Sequence, residues 1–164
     1  MMKMPNWVEG TLKVRGRFED VINFLKNGLC ETALYELYRD KNKNKEPLIK
    51  KYSEGEDEYF AADITRTCYI NDTRRGHVDK GYISLDKDDM YSTVFLHSRF
   101  SWRISSFELR EICKKYSVDM RITGFERGME FVQEIEIVDG VITCDKEIHY
   151  DDYEWECPCP RLGG

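Results

Sequence analysis

The stretch from Ser92 to Ile137, STVFLHSRFSWRISSFELREICKKYSVDMRITGFERGMEFVQEIEI, constrains the fold more than any other part of the chain. It reads as strand, helix, strand, strand. Leu109, Ile112, Cys113 and Tyr116 recur at i, i+3, i+4 and i+7, which gathers them on one apolar stripe of a helix. Ser105 followed by Glu108 predicts a capping box, in which hydroxyl and carboxylate each satisfy a backbone N–H that the first turn leaves without a partner. Lys114 and Lys115 fall in the last turn, where the helix dipole favours cations. Downstream, Phe131, Ile135 and Ile137 alternate with Val132, Glu134 and Glu136, the period of a half-buried strand. Asp139-Gly140, set between Val138 and Val141, predicts a tight hairpin because both residues tolerate positive φ.

The rest of the chain supplies partners for this unit. Trp7 to Arg15 sets Val8, Leu12 and Val14 against Glu9, Thr11, Lys13 and Arg15, a first strand closed by Gly16. Phe18, Val21, Ile22 and Leu25 predict a helix, with Gly28 where a left-handed cap is usual. A second short helix is expected from Glu31 to Arg39, and the charged segment 40–58, with Pro47 and Gly55, reads as a surface loop. Tyr59 to Ile70 predicts one strand, residues 71–80 a turn, Gly81 to Leu85 a shorter strand, residues 86–90 a loop, and Tyr91 to Phe100 a further strand. Two β-α units on one antiparallel sheet predict an α+β, two-layer sandwich, for which the ferredoxin-like split βαβ arrangement is the simplest solution. Extra hairpins and an acidic C-terminal extension complete it. One domain is expected over residues 1–144, and residues 145–164 form an extension packed on it or projecting from it.

Composition narrows the function classes. At 164 residues with 41% apolar and 34% charged residues, the chain has globular composition. No run of about 18 apolar residues able to span a membrane is present, and the opening MMKMPNWVEG lacks the hydrophobic core of an export signal. A cytosolic location is expected, with the six cysteines reduced. The net charge of −6 is concentrated in DKEIHYDDYEWE, residues 145–156, where six acids face one lysine. A basic run from Arg39 to Lys51 is followed at once by Glu54, Glu56, Asp57 and Glu58, so the two blocks cancel beyond a Debye length of about 8 Å.

Three segments carry a family resemblance. PNWVEGTLKVRG, residues 5–16, HSRFSWRI, residues 97–104, and Gly124-Phe125-Glu126-Arg127-Gly128 followed by Phe131 together resemble the YubB ferredoxin-like family of small phage- and plasmid-encoded proteins. Where that family has Cys after the Trp this chain has Val8, and where it has a Pro pair this chain has Trp102 and Arg103. The resemblance implies a non-catalytic accessory protein of a mobile element, working in the cytosol of a bacterial host, and no iron–sulfur cluster.

Three candidate sites follow. Tyr150, Asp151, Asp152, Tyr153, Glu154 and Trp155 offer carboxylates and aromatic anchors to a host protein or nucleoprotein with a basic surface, as a nucleic-acid mimic would. That leading expectation extends to inhibition of a defence nuclease such as a CRISPR effector, and the same acids also suit a solvated edge. Arg66, Arg74, Arg75 and Lys80 define the alternative, a small nucleic-acid or nucleotide-binding module, although the RNA-binding motif of aromatic-studded sheets is absent. Cys144, His149, Cys157 and Cys159 carry the chemistry of a zinc staple without a standard spacing. No cofactor is otherwise expected. His97 and Ser98 adjoin each other on a strand and so point to opposite faces, and no Gly-rich phosphate loop or hydrolase motif is present, so no catalytic residue is expected.

Overall fold

A computed structural model describes residues 6–30, 49–54, 59–87 and 90–155. Its elements, in chain order, are β1 (Trp7–Gly16), α1 (Phe18–Asn27), β2 (Leu29–Cys30), β3 (Ile49–Glu54), β4 (Tyr59–Ile64), β5 (Cys68–Ile70), β6 (Gly76–Val78), β7 (Gly81–Asp86), β8 (Ser92–Ser101), α2 (Ser106–Tyr116), β9 (Asp119–Glu126), β10 (Phe131–Val138) and β11 (Val141–His149), followed by one 3-10 turn, Tyr150–Asp152. The fold is α+β. Among the described residues, one sheet runs β11-β10-β9-β1-β8-β6-β5-β2 and a second runs β3-β4-β7. Every pairing is antiparallel.

This sheet system is larger than the sequence led one to expect. Residues 59–70 are not one strand but two, β4 and β5, which belong to different sheets. The expected loop 40–58 contains β3, and the expected turn 71–80 contains β6. The expected helix Glu31–Arg39 lies outside the described residues. Residues 145–149, placed by sequence in an extension, continue β11 along the edge of the large sheet.

Alternation assigns the faces. On β8, Ser92, Val94, Leu96, Ser98 and Phe100 are buried, and they pair across to Val14, Leu12 and Val8 of β1, which meet Met120 and Glu126 of β9. This face carries α1 and α2, whose buried residues Val21, Phe24, Leu25, Leu109, Ile112 and Tyr116 join the same core as Phe60, Ile64, Ile83 and Leu85 of the small sheet. Phe24 meets Tyr116 edge to face at 5.6 Å, tying the helices together.

Helix ends follow local chemistry. The Ser105 hydroxyl accepts from the Glu108 N–H at 3.3 Å, the first half of the expected capping box. The second half is absent, because the Glu108 carboxylate accepts instead from the Arg74 N–H at 3.2 Å. Gly28 caps α1 in a right-handed, not left-handed, conformation. Glycine is needed there for space, since a Cβ would lie 2.6 Å from the Phe24 ring. Asp139 and Gly140 have φ of 51° and 70°, the expected mirror-image turn.

Candidate functional site

The three segments behind the family resemblance meet at one end of the large sheet. Trp7 pairs with Ser101, Val8 with Phe100 and Glu126, and Glu126 with Phe131. Each segment stabilises its neighbour. The buried Glu126 carboxylate accepts from the Gly128 N–H at 2.9 Å and from the Met129 N–H, closing the β9–β10 turn. The Trp102 N–H donates to the Asn6 carbonyl at 2.8 Å, so the residue after β8 is held by the residue before β1.

A cleft opens beside this junction, on the helix-bearing side. Its volume is about 620 Å³, within the ordinary range of ligand pockets. One wall is the turn with Arg74 and Arg75, the other the β8–α2 connection with Trp102 and Arg103 together with Phe107 of the first turn of α2. The floor is made by Gln133 and Ile104. The Gln133 side chain is 3% exposed, accepts from the Ile104 N–H at 2.8 Å and donates to the Ile104 carbonyl at 3.2 Å. Room for this clamp comes from Gly124, where a Cβ would lie 2.8 Å from Ile104 Cδ1 and 2.6 Å from Val8 Cγ1.

The opposite sheet face has a different character. Glu9, Thr11, Lys13 and Arg15 of β1 alternate with the buried row, as do Thr93, Phe95, His97 and Arg99 of β8. No helix packs on this face among the described residues. Phe95 is 58% exposed, with the Lys13 ammonium 5.9 Å from its ring centre. Arg15 lies over Tyr91 at 4.9 Å, and Arg99 over Trp7 at 5.5 Å. Arg121 sits opposite Lys13 in the register, so Arg121, Lys13 and Phe95 form one row across three strands. A shallow depression of about 210 Å³ lies among Lys13, Arg15 and Arg121. Its carboxylates are engaged: Asp119 with Arg15 at 3.0 Å and Glu136 with Arg121 at 3.6 Å.

At the far corner of this face, His77 is wedged between Trp7 and Tyr69, with ring centres 5.3 and 4.3 Å away. Burial pushes its pKa down, and the nearby Arg99 pushes it the same way. Burial also raises two thiols, Cys68 and Cys113, to about 12, so neither is a nucleophile at neutral pH.

The residues singled out by sequence separate. Arg74 and Arg75 line the cleft; Arg66, on the β4–β5 link, and Lys80, on the β6–β7 link, do not. Asp151, Asp152 and Glu154 are exposed around the 3-10 turn and Trp155 is 94% exposed, whereas Tyr150 and Tyr153 are partly buried. Two acids upstream are tied into the fold: Glu147 pairs with Arg103, and Asp145 accepts from the Ser106 hydroxyl. Cys144 pairs with Glu136 and His149 with Phe131, so the two point to opposite faces of β11; Cys157 and Cys159 lie outside the described residues. Among the described residues, no group of three or more His, Cys, Asp or Glu is placed to hold a metal ion. No described helix is long and apolar enough to cross a membrane.

The cation-bearing rings of the open face were missed by sequence reasoning, although Phe95 alternating with Val94 and Leu96 is a readable signal of an aromatic residue on the solvent side. No family model, curated protein or solved structure matches the chain.

Proposed function

We propose that the chain is a non-catalytic nucleic-acid-binding module whose open sheet face takes a single strand. What carries the reading is the pairing of aromatic rings with cations on that face: Phe95 with Lys13, Tyr91 with Arg15, Trp7 with Arg99. Single strands are bound by stacking bases on aromatic side chains while nearby cations follow the phosphates, and a ring with a cation over it supplies both contacts once the cation swings to a phosphate and frees the ring face. The strand order β9-β1-β8-β6, with α1 after β1 and α2 between β8 and β9, supports a ferredoxin-like core to which further strands have been added. Asp145 and Glu147 stand opposite Ile135 and Gln133 of the buried row, so these two acids lie on the helix side and not on this face.

The test is fluorescence anisotropy with labelled single-stranded DNA and RNA of about 12 nucleotides at low salt. Phe95→Ala is expected to weaken binding roughly 5- to 150-fold, the equivalent of about 1–3 kcal/mol per stacked base. Lys13→Glu is expected to flatten the salt dependence by about one phosphate contact. No binding at low salt, or binding indifferent to both substitutions, would sink the proposal.

A second reading rests on Trp155, a large apolar side chain 94% exposed among Asp151, Asp152 and Glu154. On that reading the acidic turn docks on a basic host macromolecule, such as a defence nuclease, and the protein serves a mobile element. Reversing the three acids to Lys would abolish capture of such a partner, while leaving oligonucleotide binding intact.

A further inference from the structure

We infer that the cleft beside α2 is a mononucleotide site, which takes a phosphate at Arg74 and Arg75 and a base at the Trp102–Phe107 wall. The two arginines occupy consecutive positions of one turn and both are exposed. Among the described residues, no carboxylate pairs with either guanidinium, although Arg17, Arg99, Arg103, Arg110 and Arg121 all have such a partner. An unpaired arginine couple on the wall of a concave site is suited to bidentate capture of a phosphate.

Facing it, Trp102 and Phe107 are 51% and 59% exposed, two large rings left in water on the rim of the same cleft. Trp102 has φ of 67°, a left-handed conformation that costs a bulky residue roughly 1–2 kcal/mol. The backbone is held there by the Asn6 carbonyl and by the Arg103 N–H donating to the Ser101 carbonyl at 2.8 Å. Phe107 is steadied by Arg110, 4.4 Å from its ring centre. The Trp102 backbone and the Phe107 ring are therefore held before any ligand arrives. Asp145 lies on the same lining and can accept from an exocyclic amine or a sugar hydroxyl. Glu108 is on the lining too, its carboxylate taken by the Arg74 N–H. Anion-binding groups, flat apolar walls and the Asp145 acceptor together match phosphate, base and sugar. They match neither a bare anion nor a purely apolar ligand. The first turn of α2 opens on the same space, where the Glu108 carboxylate offsets the positive end of the helix dipole and leaves the anion to the two arginines.

This site lies on the helix side of the sheet and does not depend on the open face binding a strand. Free mononucleotide and the 5′-phosphorylated end of a strand share this chemistry.

The test is titration of the full chain, followed by tryptophan fluorescence and calorimetry, with each of the four ribonucleoside monophosphates, the matching nucleosides and inorganic phosphate. At least one monophosphate is expected to bind in the micromolar range, with its nucleoside and inorganic phosphate each at least about tenfold weaker. Arg74→Ala with Arg75→Ala is expected to weaken binding by at least about tenfold, and Trp102→Gly to weaken it without lowering the melting temperature. A 5′-phosphorylated tetranucleotide that binds more tightly than the monophosphate, while its 5′-hydroxyl counterpart does not, would assign the site to strand ends. Equal affinity of tetranucleotide and monophosphate would assign it to the free ligand. Failure of all four monophosphates to bind at millimolar concentration, inorganic phosphate binding as tightly as any of them, or full binding by the double arginine variant would overturn the inference. The Phe95→Ala variant separates the two sites, since it is expected to weaken strand binding and keep the monophosphate affinity.

Discussion

Replacing Gln133 by Leu removes the clamp under the cleft while nearly conserving volume. Gln133 makes two hydrogen bonds to Ile104, one to its N–H and one from the glutamine amide to its carbonyl, and its side chain is buried. Each such bond contributes about 1 kcal/mol net, and each backbone group left dry and unpaired costs about 1–3 kcal/mol. Leucine returns part of this, about 1 kcal/mol, by burying apolar surface where an amide stood. Because Gln133 and Ile104 both border the cleft, water can reach the freed groups, which holds the penalty near the lower end. The expected loss is about 2–3 kcal/mol, or roughly 5–10 °C in melting temperature for a chain of this size. Urea unfolding gives the first number and calorimetry the second. Hydrogen exchange supplies the local readout: the Ile104 amide should lose protection while Ile122, on the neighbouring strand, keeps it until global unfolding. A Leu variant within about 0.5 kcal/mol of the parent, with Ile104 still protected, would show that the clamp does not hold the connection.

Glycine substitutions give a paired contrast. Gly10→Ala puts a Cβ 2.3 Å from the Thr123 carbonyl oxygen of the adjacent strand, so a loss of about 3 kcal/mol or more is expected in urea unfolding, whereas Gly81→Ala meets nothing within 4 Å and should be neutral or slightly stabilising. The thiols of Cys68 and Cys113, raised by burial to about 12, bind protons more tightly folded than unfolded. Stability should therefore be full below about pH 9 and decline as the pH rises towards 12, and alkylation at pH 8 followed by mass spectrometry should leave both unlabelled until the chain unfolds. His77 has the opposite sign: its folded pKa is lowered by burial and then by Arg99, so the unfolded chain takes up the proton first. Stability should fall as the pH drops from about 7 to 5, and His77→Gln should flatten that part of the profile; an unchanged slope would refute the assignment.

Much of the scaffold was legible because its signals are local. The stripe on α2, the alternation on β1, β8 and β10, and the Asp139-Gly140 turn each depend on neighbours a few residues away. The division of residues 59–70 was not legible. Ile64 and Cys68 keep the same phase of alternation, and both are buried, while the chain between them leaves one sheet for another. Pairing partners, not periodicity, make that distinction. β3 and β6 were missed for related reasons: one is charged and the other only three residues long, so the pairing strand specifies each.

The cleft shows the same limit. Sequence grouped Arg74 and Arg75 with Arg66 and Lys80 because they are near in the chain, whereas the fold joins them to Trp102 and Arg103 on another connection and to Phe107 on α2. The capping box failed in one half because an Arg74 N–H, invisible to a local motif, competes for the Glu108 carboxylate.

That diverted carboxylate separates architecture from chemistry at a single residue. Glu108 holds position 74 by its backbone N–H and leaves the side chain uncommitted. The spacing between the walls of the cleft is thus indifferent to which side chain stands at 74, proline alone excepted because it has no N–H to give. What that position recognises can change by substitution while the gap it faces keeps its width.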